Sequence, residues 1–222
     1  MVVCHNFYPE KYTGLSEETF EFFSNMFVDA GLKTAAFVSS QQDNTFGPWP
    51  VYEGLPTCEE DRRRPIDLQV RHLIATRLID DILIGNCFAS EEELRAVSSV
   101  DTTKTTMKID FVEDVTDLEK DLVLNLLHTT RGDASGYMLR SSYARLDFKD
   151  SNIPARESKS KTFKRGDVLV VNDNLSHYRG ELHVALKEME DDGTRNLVGC
   201  IPEEELFLLD YIKPDYPFGF ID

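Results

Sequence analysis

Along the first hundred residues, short apolar runs alternate with longer stretches whose apolar positions recur every three or four residues. A short apolar run is typical of a buried β-strand, whereas the longer spacing is typical of an amphipathic helix. The pattern therefore predicts three successive strand–helix units. The predicted strands are Met1–Cys4, Lys33–Val38 and Asp81–Gly85, and the predicted helices begin at Ser16, Pro65 and Ser90.

Capping residues mark the start of each predicted helix. Ser16 can cap the first helix, and Ser90 and Glu93 have the spacing of a capping box. Pro65 suits the first turn of the second helix. Two apolar stripes are predicted to face the core: Phe20, Phe23, Phe27 and Ala30 on the first helix, and Leu68, His72 and Leu73, with Ile74 as a further candidate, on the second.

Strands that alternate with helices form parallel sheets with right-handed crossovers. Three units cannot close a barrel, because a complete eight-stranded (β/α) barrel takes roughly 250 residues. The first unit opens directly with a strand and then a polar and aromatic cluster, HNFYPEKYTGL, from His5 to Leu15. Either the fold is unusual, or its beginning is absent from this chain, and we expect the second.

From about residue 105 the pattern changes to short strand-like runs separated by turn signals. This spacing is typical of an all-β barrel or sandwich, with residues 117–128 as a predicted helix. A Ser/Thr/Asp-rich link at Ser98–Thr106 separates two predicted domains, residues 1–100 and residues 105–222. The predicted strands are Met107–Val112, Tyr137–Arg145, Val168–Val171, Glu181–Lys187, Asn196–Ile201 and Leu206–Ile212.

The chain of 222 residues carries a formal net charge of −16, with an acidic excess in both halves. Neither half has a basic face that would attract a polyanion, so nucleic-acid binding is not expected. No apolar run approaches the ~18 residues of a membrane span, and no secretion signal opens the chain. The sequence therefore predicts a cytoplasmic protein with no nucleic-acid or membrane partner.

The four cysteines are widely separated and form no C-x-x-C pair. This spacing indicates neither a zinc site nor a disulfide framework, and it favours buried free thiols. The chain also lacks a nucleophile elbow, a phosphate-binding Walker loop, a dinucleotide fingerprint and an H-E-x-x-H motif. No metal and no cofactor are therefore expected.

Several stretches spread over the chain carry a resemblance to a known family. They are HNFYP followed by TGLS, VYEGLPT, DDILIG with ASEEEL, YMLRSSYAR, NDN with YRGEL, and LFLLDYIKP. In these stretches the chain resembles the bacterial 6-phospho-N-acetylmuramidase family. The resemblance implies a (β/α)8 barrel joined to a C-terminal cyclophilin-like β-barrel. It also implies a glycosidase that cleaves a 6-phospho-N-acetylmuramic acid–N-acetylglucosamine disaccharide during peptidoglycan recycling.

Under this resemblance, residues 1–100 are the last three strand–helix units of the TIM-type barrel, and residues 105–222 are the cyclophilin-like domain. The chain would then represent only the C-terminal part of the family, without the first half of the barrel and inactive as it stands. A three-stranded sheet would expose two parallel edges, which are open to self-association. The fold class expected is thus α/β followed by β.

Candidate sugar-binding residues follow the first predicted strand, because barrel active sites lie beyond the carboxyl ends of the strands. His5 and Asn6 can bond sugar hydroxyls, and Tyr8 can stack on a sugar ring. The alternatives are that His5 only holds its own loop and that Tyr8 is packing.

Glycoside hydrolysis normally uses two carboxyl groups. Glu53 in VYEGLPT and Asp173 in NDN are the candidates, because each lies at the end of a predicted element. The alternatives are that Glu53 caps its loop and that Asp173 bonds turn amides. Asn172 and Asn174, which flank Asp173, are further candidates for substrate binding, and the principal acids could instead lie outside this chain.

The substrate phosphate requires a cationic pocket, for which YMLRSSYAR is the candidate. Arg140 offers a planar fork beside the Ser141 hydroxyl, suited to a phosphate or a lactyl carboxylate. Arg145 has the opposite parity along a regular strand, so it joins Arg140 only if a bulge or turn intervenes. The alternative is a surface strand with ordinary arginines. The basic run Arg62–Arg64 is expected to be a solvated approach to a helix.

Two functional hypotheses therefore remain open from the sequence. The first is part of a glycosidase whose partner molecule is a small phosphorylated amino-sugar disaccharide. The second is a binding module that recognises a sugar phosphate without hydrolysing it. A prolyl isomerase activity would rest only on the cyclophilin-like fold, and no constellation of residues supports it.

Overall fold

A computed structural model of the protein describes residues 1–157 and 160–222. The chain divides into two compact units, Met1–Thr102 and Thr103–Asp222. Within the described residues, none of the helices combines the length and the apolar character needed to cross a bilayer.

The first unit is built from a parallel sheet and three α-helices. The strands pair in sequence order, with Val3 opposite Thr34 and Ala36 opposite Ile82. The three predicted strands and three predicted helices are all present. The elements are β1 (Val2–Cys4), α1 (Glu17–Asp29), β2 (Lys33–Val38), a 3-10 helix (Glu59–Arg63), α2 (Ile66–Thr76), β3 (Asp81–Ile84) and α3 (Glu91–Ser98).

Helix α1 begins where its cap predicts, since the Ser16 side chain accepts a hydrogen bond from the Thr19 amide. Phe20 is fully buried, but Phe23 is 40% exposed and Ala30 is also exposed. Phe27 is half-buried, and its ring lies 5.5 Å from that of His5. The predicted stripe is therefore wrong at Phe23 and Ala30. A narrow three-stranded sheet offers the helix only a small area to pack against.

Helices α2 and α3 follow the sequence signals closely. Pro65 stands immediately before α2, and the predicted inward side chains Leu68, His72 and Leu73 are all buried. Ser90 and Glu93 form the capping box of α3. The core of the unit consists of Phe20, Ala36, Val38, Cys58, Ile66, Val70 and Leu73.

The second unit contains strands in three sheets among its described residues. The largest is antiparallel, in the order β5-β12-β9-β10-β7, and a three-stranded sheet has the order β4-β13-β6. The elements are β4 (Thr105–Lys108), β5 (Asp110–Phe111), α4 (Asp117–Leu124), β6 (His128–Thr129), β7 (Met138–Ser141), α5 (Ala144–Phe148), β8 (Thr162–Phe163), β9 (Asp167–Val171), a 3-10 helix (Asp173–Tyr178), β10 (Leu182–Ala185), β11 (Met189–Glu190), β12 (Arg195–Cys200), a 3-10 helix (Glu203–Tyr211) and β13 (Pro217–Ile221).

Strand β9 lies at the centre of the large sheet, and Val168 to Val171 are completely buried. A strand covered on both faces is apolar without alternation, which is why the sequence identified it. The predicted strand Leu206–Ile212 is wrong, because this segment lies in the 3-10 helix Glu203–Tyr211. Its buried neighbours Leu208 and Leu209 are adjacent, whereas a half-buried strand buries alternate residues.

The cysteine prediction is correct only in part. All four thiols are free, but Cys58 alone is buried, whereas Cys87 is half-buried and Cys4 and Cys200 are exposed. Cys4 and Cys200 both lie at the ends of their strands, where the sheet leaves them open to solvent.

A buried carboxylate connects helix α4 to the large sheet. Glu119 is 1% exposed, and its side chain pairs with Arg156 and accepts a hydrogen bond of 3.0 Å from Asn196 Nδ2. It also completes a capping box with Thr116. Its negative charge is therefore satisfied by partners that come from distant parts of the chain.

Removal of Glu119 should destabilise the second unit. Within the described residues, the guanidinium of Arg156 keeps only Asp114 and the Leu197 carbonyl in Glu119→Ala, and the Asn196 amide nitrogen keeps only the Pro154 carbonyl. Loss of the buried carboxylate is expected to cost about 3 kcal/mol in unfolding free energy. Thermal unfolding followed by circular dichroism measures this loss. The control is Asp121→Ala on the exposed side of the same helix, expected to change stability by about 0.5 kcal/mol or less. Equal effects of the two substitutions would contradict the role given to Glu119.

The first unit contains a buried imidazole between two carboxylates. His72 Nδ1 lies 2.9 Å from both carboxylate oxygens of Asp61, and Nε2 lies 3.0 Å from Glu17. Burial alone would lower the pKa of His72, but the two carboxylates raise it to about 9. The imidazole is therefore protonated at neutral pH.

This pKa predicts how the first unit responds to pH. The folded-state pKa of about 9 lies above the ordinary histidine pKa of 6.5, so the contribution of His72 to stability is complete below pH 6.5 and is lost as pH rises through 9. We expect the free energy of unfolding to fall by about 2–3 kcal/mol over that window. The only tryptophan, Trp49, reports this unit by fluorescence in urea. The same fall in His72→Gln would contradict the assignment.

Candidate functional site

The loops after the strands of the first unit are held together by one buried guanidinium. Arg62 donates hydrogen bonds to the carbonyl oxygens of Tyr8 (2.9 Å), Glu10 (3.0 Å) and Glu53 (3.1 Å). These carbonyls belong to the loops that follow β1 and β2. The expectation of a solvated Arg62 is wrong, because its side chain is 4% exposed.

Glu59 completes this arrangement. Its carboxylate pairs with Arg62 at 2.6 Å and accepts hydrogen bonds from the amides of Tyr12 and Gly14, both at 2.8 Å. The hydrogen bond from Arg62 and these two amides lower the pKa of Glu59 to about 2, although burial opposes the shift. The segment that follows β1 is therefore fixed by charge as well as by packing.

Glu53 projects from the loop that Arg62 holds. Its carboxylate pairs with Lys11 at 3.1 Å and also with Arg63, and its side chain is 39% exposed. The hydrogen bond from Lys11 and the nearby cations lower the pKa of Glu53. An ionised carboxylate can accept a proton or stabilise positive charge, but it cannot protonate a leaving group. Trp49 and Tyr52 on the same loop are 54% and 69% exposed.

His5 lies inside the first unit, between its strand and helix α1. It is 7% exposed, its Nε2 shares a hydrogen bond of 2.9 Å with Ser24 Oγ, and its ring lies 5.0 Å from that of Phe20. Burial lowers the pKa of His5. The structure therefore gives His5 a role in packing.

Asn6 and Tyr8 contact the second loop through their backbones. The Asn6 carbonyl accepts a hydrogen bond of 3.0 Å from Thr57 Oγ1, and the Tyr8 amide donates to the Pro56 carbonyl at 3.0 Å. The Asn6 side chain is exposed and that of Tyr8 is half-buried. Both positions are thus fixed at the carboxyl end of the sheet.

In the second unit, Asp173 begins a 3-10 helix and pairs with Arg179 at 2.5 Å. The side chain of Asn172 is buried, and its Oδ1 accepts a hydrogen bond of 3.0 Å from the Asn174 amide. Asn174 Nδ2 donates to the carbonyl of Gly193 at 2.9 Å. The two asparagines therefore stabilise the turn that carries Asp173.

Arg140 and Arg145 converge on one carboxylate, that of Glu181. Nη2 of Arg140 lies 2.9 Å from Glu181 Oε2, and Nη1 of Arg145 lies 3.4 Å from Oε1. The predicted strand Tyr137–Arg145 is too long, since β7 ends at Ser141 and α5 begins at Ala144. On one continuous strand Arg140 and Arg145 would face opposite sides of the sheet. The turn between β7 and α5 instead brings both arginines to the same carboxylate.

Tyr178 adds an aromatic wall beside the arginines. The guanidinium carbons of Arg140 and Arg145 lie 5.8 Å and 5.7 Å from the centre of its ring. Ser141 is not part of this cluster. It is buried on the opposite face of β7, where its Oγ lies 3.0 Å from His128 Nδ1.

A pocket of about 320 Å³ opens at this cluster. Its lining also includes residues that sequence reasoning missed, namely Glu181, His183 and Arg195. His183 lies directly opposite Arg140 in the pairing of β10 with β7. The sequence did offer a signal for two of these residues. Glu181 and His183 are two positions apart beside apolar residues of a strand, so they share one face of it. The pocket is lined by Ser135, Met138, Arg140, Leu175, Tyr178, Glu181, His183 and Arg195.

The hydrogen bonds of the pocket fix the protonation of its side chains. Arg195 Nε donates to His183 Nδ1 at 3.1 Å, so the imidazole carries its proton on Nε2 and donates it to Glu181 at 3.1 Å. Burial lowers the pKa of His183. Burial would raise the pKa of Glu181, but His183 and Arg140 bring it below its usual value. The pocket thus combines a neutral imidazole, an ionised carboxylate and arginines.

The electrostatic balance of the pocket differs from that of the whole chain. Arg140 and Arg195 line the pocket beside the carboxylate of Glu181. Arg145 and Asp192 are not part of the lining, and they pair with Glu181 at 3.4 Å and with Arg195 at 3.1 Å, respectively. Positive charge is therefore in excess here, within a protein whose net charge is −16. The arrangement is suited to bind an anion. No group of three or more His, Cys, Asp or Glu in the described part of the chain is arranged to hold a metal ion.

Comparisons with solved structures place this chain among proteins of the same fold. An uncharacterised protein of B. cereus is 45% identical, with a TM-score of 0.93 over 99% of this chain and 62% of its own. A conserved Enterococcus faecalis protein of unknown function is 24% identical, with a TM-score of 0.66 over 98% of this chain and 57% of its own. The chain thus spans about three fifths of the length of these relatives. No curated protein matches it significantly.

Two family models cover almost the whole chain. Residues 1–99 match the model described as "6-phospho-N-acetylmuramidase, N-terminal", and residues 105–221 match "6-phospho-N-acetylmuramidase, C-terminal". The expectation that only the C-terminal part of the family is represented is therefore wrong, because the N-terminal model is matched as well. The chain belongs to the 6-phospho-N-acetylmuramidase family.

Proposed function

We propose that this protein hydrolyses the glycosidic bond of a 6-phospho-N-acetylmuramic acid–N-acetylglucosamine disaccharide, in the cytoplasm, during peptidoglycan recycling. Its family indicates a glycosidase. The observation that carries the proposal is the convergence of Arg140 and Arg145 beside Tyr178. A guanidinium fork binds phosphate, and an aromatic face packs against a sugar ring.

We propose for the first unit the last three strand–helix units of a (β/α) barrel, and for the second a cyclophilin-like β-barrel. The sequential parallel pairing of β1, β2 and β3 supports the first part. The loops that carry Glu53 and Tyr8 also follow the carboxyl ends of strands, where barrel enzymes act. The outer edges of β1 and β3 could mediate self-association, which sedimentation would detect.

Glu53 is the carboxylate whose environment best suits catalysis. Lys11 and Arg63 keep it ionised, so its role would be that of a base or nucleophile, and another group must supply the proton. Asp173 is the second candidate, and it is paired with Arg179. The exposed rings of Trp49 and Tyr52 beside Glu53 provide surfaces on which a sugar could stack.

The second candidate function is a binding module for sugar phosphates. It is favoured by the position of the arginine pocket, which is built entirely from residues of the second unit. Assay of the phosphorylated disaccharide with this chain, and with the chain extended to the length of the B. cereus relative, separates the alternatives. Binding without hydrolysis by either protein would favour the module.

Arg140 should decide recognition of the phosphate. Arg140→Ala is expected to lower kcat/KM for the phosphorylated disaccharide by a factor equivalent to about 2–4 kcal/mol, because a charge-assisted contact is lost. Arg140→Lys should recover little, since an ammonium group lacks the planar fork. The measurement is the rate of N-acetylglucosamine release.

The unphosphorylated disaccharide is the discriminating control for Arg140. Wild type and Arg140→Ala should cleave it at similar low rates, and an equal loss on both substrates would assign Arg140 to folding or to catalysis. Arg165→Ala serves as the matched variant, because Arg165 pairs with Asp210 outside the pocket. Its kinetics should equal those of wild type.

Glu53 should be needed for turnover and not for folding. Glu53→Gln keeps the shape of the side chain but removes the charge, and kcat is expected to fall by about 100-fold or more. The thermal midpoint should change little, because the carboxylate is partly exposed. Glu60→Gln, an exposed acid of the neighbouring 3-10 helix, is the control. An unchanged kcat in Glu53→Gln would remove this residue from the mechanism.

A further inference from the structure

One oxygen of the buried Glu181 carboxylate has no hydrogen bond. Glu181 is completely buried, and its Oε2 accepts from Arg140 at 2.9 Å and from His183 at 3.1 Å. Its Oε1 has no hydrogen-bond donor among the described residues, and Nη1 of Arg145 lies 3.4 Å away. A buried acceptor without a hydrogen bond is costly, so such an atom in a native site calls for an explanation.

The surrounding side chains that the structure describes do not supply this hydrogen bond: Arg145 forms an ion pair with Oε1 at 3.4 Å but donates no hydrogen bond to it. His183 is held in one tautomer by Arg195, so its single proton is directed to Oε2 of Glu181. Arg140 also donates to Oε2. Because Glu181 lines the pocket, a donor for Oε1 can come from a molecule bound there.

We propose that the pocket of the second unit binds an anion that also carries a hydroxyl or amide N–H group. The arginines hold the anion, the O–H or N–H group donates to Glu181 Oε1, and Tyr178, 37% exposed, packs against the body of the ligand. Phosphorylated amino sugars have this chemistry. The inference rests on the proposed function, since it assigns the substrate class of the same pocket and makes Glu181 its specificity-determining residue.

A carboxylate placed among arginines is a selective device. It repels an anion that has no hydrogen to donate, but it accepts a hydrogen bond from an anion that carries a donor group beside its charge. A site that offers a buried acceptor rejects ligands that leave this acceptor unpaired. Glu181 would therefore exclude simple inorganic anions that the arginines alone would admit.

The test is calorimetric titration of the whole chain with two probes, N-acetylglucosamine 6-phosphate and sulfate, at pH 7.5. Sulfate is a tetrahedral dianion without a hydrogen to donate. In wild type the sugar phosphate should bind at least about tenfold more tightly than sulfate. In Glu181→Gln the repulsion is removed, so sulfate should bind more tightly, the sugar phosphate more weakly, and the preference should fall below about threefold.

Two further variants keep the test decisive. Glu181→Asp retains the charge but shortens the side chain by one methylene. It should therefore weaken the binding of the sugar phosphate without strengthening the binding of sulfate. Glu205→Gln changes another buried carboxylate, which accepts from the Lys108 amide away from the pocket, and it should leave the preference unchanged. Circular dichroism confirms that each variant is folded.

Three outcomes would overturn the inference. The first is that wild type binds the sugar phosphate no more tightly than sulfate. The second is that Glu181→Gln weakens the binding of both probes equally. The third is that folded Glu181→Asp keeps the wild-type preference for the sugar phosphate. Because the titration requires no hydrolysis, it can succeed even if the disaccharide is not cleaved. Conversely, cleavage without the binding preference would contradict only the role of Glu181.

Discussion

The hydrogen bonds of the Arg62 guanidinium are the interaction on which the loops after β1 and β2 depend. It is buried, and it collects backbone carbonyls from two loops that follow different strands. Glu59 balances its charge and fixes the backbone after β1 through the amides of Tyr12 and Gly14. Because a buried cation must be paired and hydrogen-bonded, loops that would otherwise vary independently are held in one arrangement.

In the second unit a buried negative charge, that of Glu181, orders the side chains around it. Glu181 is a buried anion that gathers Arg140, Arg145 and His183 from three segments of the chain. The carboxylate orders the cations that would bind a ligand, and, among the described residues, one of its oxygens has an ion pair with Arg145 but no hydrogen bond. In both units the buried charge thus organises groups around it. The difference is that Arg62 is satisfied by the protein itself, whereas Glu181 is satisfied only in part.

A local cluster of arginines in a strongly acidic protein indicates where an anion could bind. With a net charge of −16, the general field opposes the approach of an anion, so affinity must come from arginines at short range. This requirement favours recognition by exact geometry over attraction from a distance. The planar guanidinium of Arg140, the ring of Tyr178 and the buried carboxylate of Glu181 supply such geometry. These residues come from different positions in the sequence.

Local signals in the sequence were enough to predict β1, β2, β3 and β9 as apolar runs, and α1 and α3 from the caps Ser16 and Ser90. The sequence also stated correctly that Arg145 could join Arg140 only after a turn. Contacts between distant segments were needed to show that this turn exists, that Arg62 is buried, that Ser141 faces away and that residues 206–211 are helical. Caps and periodicity involve residues a few positions apart, whereas Glu181 meets Arg140 only because the chain folds back over a separation of 41 positions.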